Sequence, residues 1–152
     1  MGQDIEMEVA RGAASGAAAT TAMTGALVAA RRAGLMGKLP PERITERMFD
    51  LLRVRRSRTT QKAATAGAHL AYGMTAGAAY RTLVRGRVAP AHPVVEGMLF
   101  GAALWLASYQ GWVPAMNIMP STRRDRPGRQ VALGFAHLVF GGLLGWLSRR
   151  RY

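Results

Sequence analysis

Apolar and charged residues fall in long alternating blocks along the chain, and the blocks set the elements. Four stretches carry so little charge that each spans, or nearly spans, the roughly 17–25 residues a helix needs to cross a bilayer. The first, 12–30, runs from Gly12 to Ala30 between Arg11 and Arg31 and Arg32. It is rich in Ala, Gly, Ser and Thr, gains little from lipid, and is expected to depend on packing. The second, 63–80, runs from Ala63 to Tyr80 and is interrupted only by His69. The third, 94–114, opens at Val94, carries Glu96 at its entrance and fades at Pro114. The fourth, 131–147, runs from Val131 to Leu147 and stops at Arg149, Arg150 and Arg151.

Between the first two spans lies the longest polar segment, Arg31 to Lys62. Pro40, Pro41 and Glu42 read as a helix start, since proline is tolerated in the first turn. Ile44, Met48, Leu51 and Leu52 then recur at helical spacing, opposite Glu42, Arg43, Glu46, Arg47 and Asp50. The pattern predicts an amphipathic helix over 41–54 that caps the bundle or lies on the membrane surface. The basic run Arg53, Arg55, Arg56 and Arg58 follows. Pro114, Pro120 and Pro127 mark a stiff second loop, whose Arg123, Arg124, Asp125 and Arg126 are expected to be solvated against anionic lipid.

At 152 residues the chain is long enough for one domain. A net charge of +13 suggests a nucleic-acid partner. The distribution excludes it, because the cations lie between the apolar blocks, where anionic headgroups attract them. Cysteine is absent, which removes disulfides and thiolate metal sites. Lysine occurs only at Lys38 and Lys62; with the abundant Ala and Gly this suggests a GC-rich bacterial genome. Asp4, Glu6 and Glu8 are the reverse of a basic secretory n-region, so the N-terminus is expected to belong to the mature protein. The first long loop carries ten Lys and Arg and the second carries four, against seven on the opposite side. The positive-inside rule then puts both loops in the cytoplasm and both termini in the periplasm of a bacterial inner membrane, with the C-terminal arginines opposing.

An internal duplication organises the spans. His69, Leu70, Ala71, Tyr72 and Gly73 are followed four residues on by Gly77; His137, Leu138, Val139, Phe140 and Gly141 are followed by Gly145. Both read His-Leu-x-aromatic-Gly-x-x-x-Gly. Gly12 with Gly16, and Gly97 with Gly101, repeat the spacing in the other two spans. Glycines four apart lie on one helix face and let backbones approach where lipid offers no hydrophobic drive. The expected fold is all-α: a polytopic four-transmembrane-helix bundle from two tandem helical hairpins, related by an axis along the membrane normal.

From Glu96 through Gly97, Met98, Leu99, Phe100 and Gly101 to Ala103, then Trp112, Val113 and Pro114, and on to Ala136, His137 and Leu138, the chain resembles the YagU-like family of small bacterial inner-membrane proteins. The resemblance covers about residues 66–151. It implies the same topology and, at most, a link to acid resistance or envelope stress. It implies no biochemical activity.

Ionisable groups inside spans are candidates for function. His69 lies seven residues inside Lys62, and His137 eight inside Arg129, so both sit at one depth. They read as a structural pair, as a proton relay, or as two axial ligands of a haem b. Glu96 reads as an interfacial carboxylate, solvated by headgroups or paired with Arg11, or as a coupling carboxylate on an ion path with the histidines. Trp105 and Tyr109 are expected to pack; Trp112 and Trp146 are expected to anchor at interfaces. No nucleophile–base pair and no metal cluster is visible. The function expected is non-enzymatic, an accessory or envelope-stress role in the inner membrane; the alternative is a small oligomeric transporter or channel. The expected partners are anionic lipid, a second copy of the chain or a membrane complex, and no nucleic acid.

Overall fold

The computed structural model describes residues 2–85, 87–88, 92–119 and 125–149, and over them the chain is helical, with no strand among the described residues. Helix α1 is Gly2–Arg32, α2 is Pro40–Leu51 and α3 is Arg58–Ala79, which continues as a π-helical turn, Tyr80–Val84. Helix α4 is Pro93–Leu106, followed by a second π-helical stretch, Ala107–Trp112, and a last short turn, Val113–Ala115. Helix α5 is Pro127–Ser148. Pro120, Arg123, Arg124, Arg150 and Arg151, counted above as loop and tail features, lie outside the described residues.

The helix ends follow from local chemistry. Pro40, Pro93 and Pro127 each occupy a first turn, where the missing N–H costs nothing. The Glu42 carboxylate accepts the Leu39 N–H at 2.9 Å, and the Ser57 hydroxyl caps α3 by accepting from Thr60 N at 3.0 Å. Three C-termini close with the same pair of backbone bonds around a left-handed residue. After α1 that residue is Gly34 (φ 76°), with Gly34 N donating to Arg31 O and Leu35 N to Ala30 O, both at 3.1 Å. After α2 it is Arg53 (φ 53°), and after the last turn of α4 it is Asn117 (φ 55°).

Several expected boundaries are corrected. The first helix begins ten residues before Gly12, because Glu8 is held by a tertiary ion pair: it accepts from Arg81 Nε at 2.9 Å and from Arg85 Nη2 at 3.1 Å. The amphipathic helix ends at Leu51 rather than 54, where Arg53 turns left-handed. The third apolar block does not run as one α-helix to Pro114. Its hydrogen-bond pattern widens at Ala107, and Gly111 (φ −99°, ψ −106°) breaks the helical conformation. Two helices, Gln3–Arg32 and Pro127–Ser148, are long and apolar enough to cross a membrane. Helix α3 is diluted by Gln61, Lys62 and His69, and α4 has only 14 residues before its π-helical stretch.

Helices α1 and α3 pack against each other, as do α4 and α5; α1 also packs along α5, and α2 docks on α3. The two pairs cross at glycines. A Cβ on Gly12 or Gly16 would strike the backbone of Gly77 or Gly73, and one on Gly97 or Gly101 would strike that of Gly141 or His137. Gly145 in turn lies against Pro93 and Val94. Ala19, Met23 and Leu27 of α1 meet Leu133, Ala136, Phe140 and Leu144 of α5 in the buried core. The main approach of α3 to α4 is through the turn that begins at Tyr80, whose ring lies 5.3 Å from that of Phe100. Away from that turn the two helices diverge.

Candidate functional site: a histidine-lined cavity

The divergence of α3 from α4 leaves a cavity of about 220 Å³. Its wall is apolar and aromatic, with Leu27 from α1, Leu104 and Trp105 from α4, Tyr109 from the π-helical stretch after it, and Phe140 from α5. Pro40, Pro41 and Ile44 of α2 close it on the loop side, and Tyr72 stands at its rim, half exposed. The π-helical stretch Ala107–Trp112 brings Ser108, Tyr109 and Trp112 onto the wall. Extra residues of this kind inside helices are frequent at functional sites. Trp105 and Tyr109 stack with their centroids 6.0 Å apart.

His69 and His137 both line this cavity, from α3 and α5, which are not direct packing neighbours. His137 Nδ1 lies 2.8 Å from Leu133 O, and since a carbonyl only accepts, Nδ1 carries the proton and Nε2 keeps its lone pair. His69 Nε2 is buried and has no hydrogen-bond partner; neither have Thr65 Oγ1 and Trp105 Nε1. All three belong to cavity-lining residues. An unsatisfied buried donor or acceptor costs about 1–3 kcal/mol, so three around one space need an explanation.

A second, more polar cavity of about 790 Å³ adjoins the first and shares Thr20, Leu27, Pro41, Thr65 and His69 with it. Arg31, Lys38, Arg58 and Lys62 surround it, together with Glu42 and Glu46. Arg31 pairs with Glu42 at 3.2 Å and Lys38 with Glu46 at 2.6 Å. Lys38 and a hydrogen bond from Gln61 hold the Glu46 carboxyl below its ordinary value, against the opposing effect of burial. The vestibule therefore keeps an excess of positive charge at Arg58 and Lys62.

Glu96 is not where the sequence suggested. It is 2% exposed, so it is not solvated, and it does not line the histidine cavity. Its Oε1 accepts from the backbone N–H groups of Arg87 and Val88 at 3.0 and 2.8 Å, and its Oε2 accepts from Tyr80 at 3.3 Å. Arg11, the partner expected for it, instead lies 3.7 Å from Glu8 one turn back on its own helix. The chain after α3 folds over the start of α4 and presents amides that a carboxylate there satisfies, so Glu96 anchors a loop. The structure thus brings together two of the three expected polar residues and separates the third.

Asp125, expected in the solvated loop, instead has a buried side chain: it accepts from Tyr109 and, at 2.8 Å, from Arg129, fixing the start of α5 against the cavity wall. Other residues complete the picture. Arg85 bridges Glu8 to Ser148 O, tying α1, α3 and α5 together at the opposite end. Thr65 and Trp105 carry no pattern that separates them from ordinary packing residues until α3 and α4 are seen to part.

A family model described as a family of unknown function, DUF6789, matches residues 7–151, and the chain belongs to that family. No curated protein and no solved structure matches it.

Proposed function

We propose that this member of DUF6789 is a four-span bacterial inner-membrane protein that binds a small membrane-dissolved molecule in its histidine-lined cavity, without catalysing a reaction. The spans are α1, α3, α4 with its π-helical extension, and α5, arranged as two tandem hairpins. Supporting this, Met74, Val95, Leu99, Val131 and Phe135 all lie exposed on α3, α4 and α5. Water would penalise such a surface and lipid would not. The matched glycine crossings of α1 with α3 and of α4 with α5 support the duplication. The amphipathic α2, with Met48 and Leu51 exposed, then lies at the cytoplasmic interface, and both termini are periplasmic.

The observation that carries the binding role is the set of partnerless polar atoms, His69 Nε2, Thr65 Oγ1 and Trp105 Nε1, around an otherwise apolar space. A few placed polar groups in an apolar wall are the usual make-up of a ligand pocket. An ion path through His69, His137 and Glu96 has less support, since Glu96 is spent on the loop after α3. An accessory or envelope-stress role, which the YagU-like resemblance suggests, fits a binding protein of this kind.

The test is occupancy. Protein purified in mild detergent should release a small organic molecule on solvent extraction, detected by mass spectrometry, and Ala68→Trp, which fills the cavity, should carry none. Equal recovery from both proteins, or none from either, would remove the binding role.

A further inference from the structure

We infer that the cavity takes a haem, its iron held between His69 and His137 and its carboxylates drawn to the basic vestibule at Arg58 and Lys62. The inference rests on the binding role proposed above and names the ligand class. Two histidines on separate helices that do not pack on each other line one space, and each leaves Nε2 without a protein partner. The bond from His137 Nδ1 to the Leu133 carbonyl is the kind of contact that fixes the orientation of a ligating imidazole and raises its basicity.

Two nitrogens alone are a poor site for a free metal ion, and no cluster of three or more His, Cys, Asp or Glu stands together among the described residues. A porphyrin supplies the four equatorial nitrogens itself, so two axial imidazoles suffice. The wall suits a flat aromatic group, with Trp105 and Tyr109 stacked along α4 and its π-helical extension and Phe140 one turn beyond His137. A porphyrin needs more room than 220 Å³, and the adjoining 790 Å³ vestibule supplies it on the side of His69. A propionate-bearing edge there meets Arg58 and Lys62, the two cations of the vestibule that no carboxylate among the described residues pairs in a salt bridge. Charge complementarity thus sets the orientation as well as the location.

The experiment uses the full chain, expressed in cells supplied with a haem precursor and purified in detergent, and separately titrated with hemin. The expected result is one haem per chain, with the Soret and split visible bands of a six-coordinate low-spin iron. His69→Ala and His137→Ala should each lose that spectrum while keeping the far-ultraviolet helix signal. Arg58→Gln with Lys62→Gln should keep the spectrum and weaken hemin binding several-fold. His69→Met, which offers a different axial ligand, should shift the bands rather than abolish binding, and this separates ligation from a packing defect. Hemin that binds no better than to empty micelles, or a spectrum indifferent to both histidines, overturns the inference. A colourless protein that retains another organic molecule in a His69-dependent way overturns the haem and leaves the binding role standing; a protein with neither overturns both.

Discussion

Adding one methyl group should destabilise this protein at a helix crossing and stabilise it elsewhere, and the contrast tests the packing directly. A Cβ on Gly141 would sit 2.7 Å from the carbonyl carbon of Gly97 and 3.1 Å from Gly101 N, and nearer still to Gly97 O. These are backbone atoms of a packed helix and cannot swing aside as a side chain could. Relief requires α4 and α5 to separate, and overpacking of this kind costs about 1–3 kcal/mol. Against that, alanine is the better helix former by about 0.5–1 kcal/mol. The net expectation for Gly141→Ala is a loss of about 0.5–2 kcal/mol by the same two principles. Gly25 and Gly67 lie in α1 and α3, and a methyl added at either would meet nothing within 4 Å. There only the propensity gain remains, so Gly25→Ala and Gly67→Ala should gain up to about 1 kcal/mol. Reversible unfolding in mixed micelles, followed by helix circular dichroism, reads both signs. Gly141→Ala as stable as Gly67→Ala would refute the crossing.

Arg53 holds a left-handed conformation (φ 53°) that costs a side-chain-bearing residue about 1–2 kcal/mol. Arg53→Gly should therefore raise the unfolding midpoint and Arg53→Val should lower it, measured in the same micelles. Because its folded pKa lies below 4.5, Glu46 contributes stability that is fully present above that ordinary value and is lost as the pH falls through the folded one. Hydrogen exchange in α2 should accelerate over that acid range, and Glu46→Gln should remove the pH dependence. If both long loops face the cytoplasm, a protease added to intact spheroplasts should remove a C-terminal tag, and protection of the tag would reverse the orientation.

Much of the helical layout was legible because it depends on charge-free length and on punctuation. Pro40 marked a helix start directly, whereas Pro127, read as part of a stiff loop, opens α5, and glycines four apart lie where the helices cross. The histidines were visible because ionisable groups are rare inside apolar segments. Three features were not legible, for related reasons. The N-terminal extension of α1 needs Glu8 to meet Arg81, 73 residues away. The fate of Glu96 depends on amides of Arg87 and Val88 that exist as partners only after the chain turns back over α4. Thr65 and Trp105 matter only because two helices part beside them. Local pattern reveals a helix; it does not reveal the space left between two.

If the proposed duplication is accepted, the two hairpins differ beside that space. Thr20 follows Gly16 by four residues, and Trp105 follows Gly101 by four, so the two occupy equivalent places on α1 and α4. The Thr20 hydroxyl turns back to Gly16 O at 2.7 Å, and the side chain fits directly beside Gly73, so α1 and α3 stay in contact past their crossing. An indole cannot sit in that position. Trp105 is accommodated beside Gly134, where an added Cβ would lie 3.9 Å from the ring, and by stacking on Tyr109. The α4 side therefore carries a broad aromatic surface where the α1 side carries a small polar one. A symmetric bundle would bring α3 onto α4 as closely as α5 lies on α1. The cavity lies beside this aromatic surface, and the π-helical widening at Ala107 begins two residues past Trp105. The proposed hairpins thus differ beside the cavity: a threonine packs against a glycine on the α1 side, and a stacked tryptophan lines the wall on the α4 side.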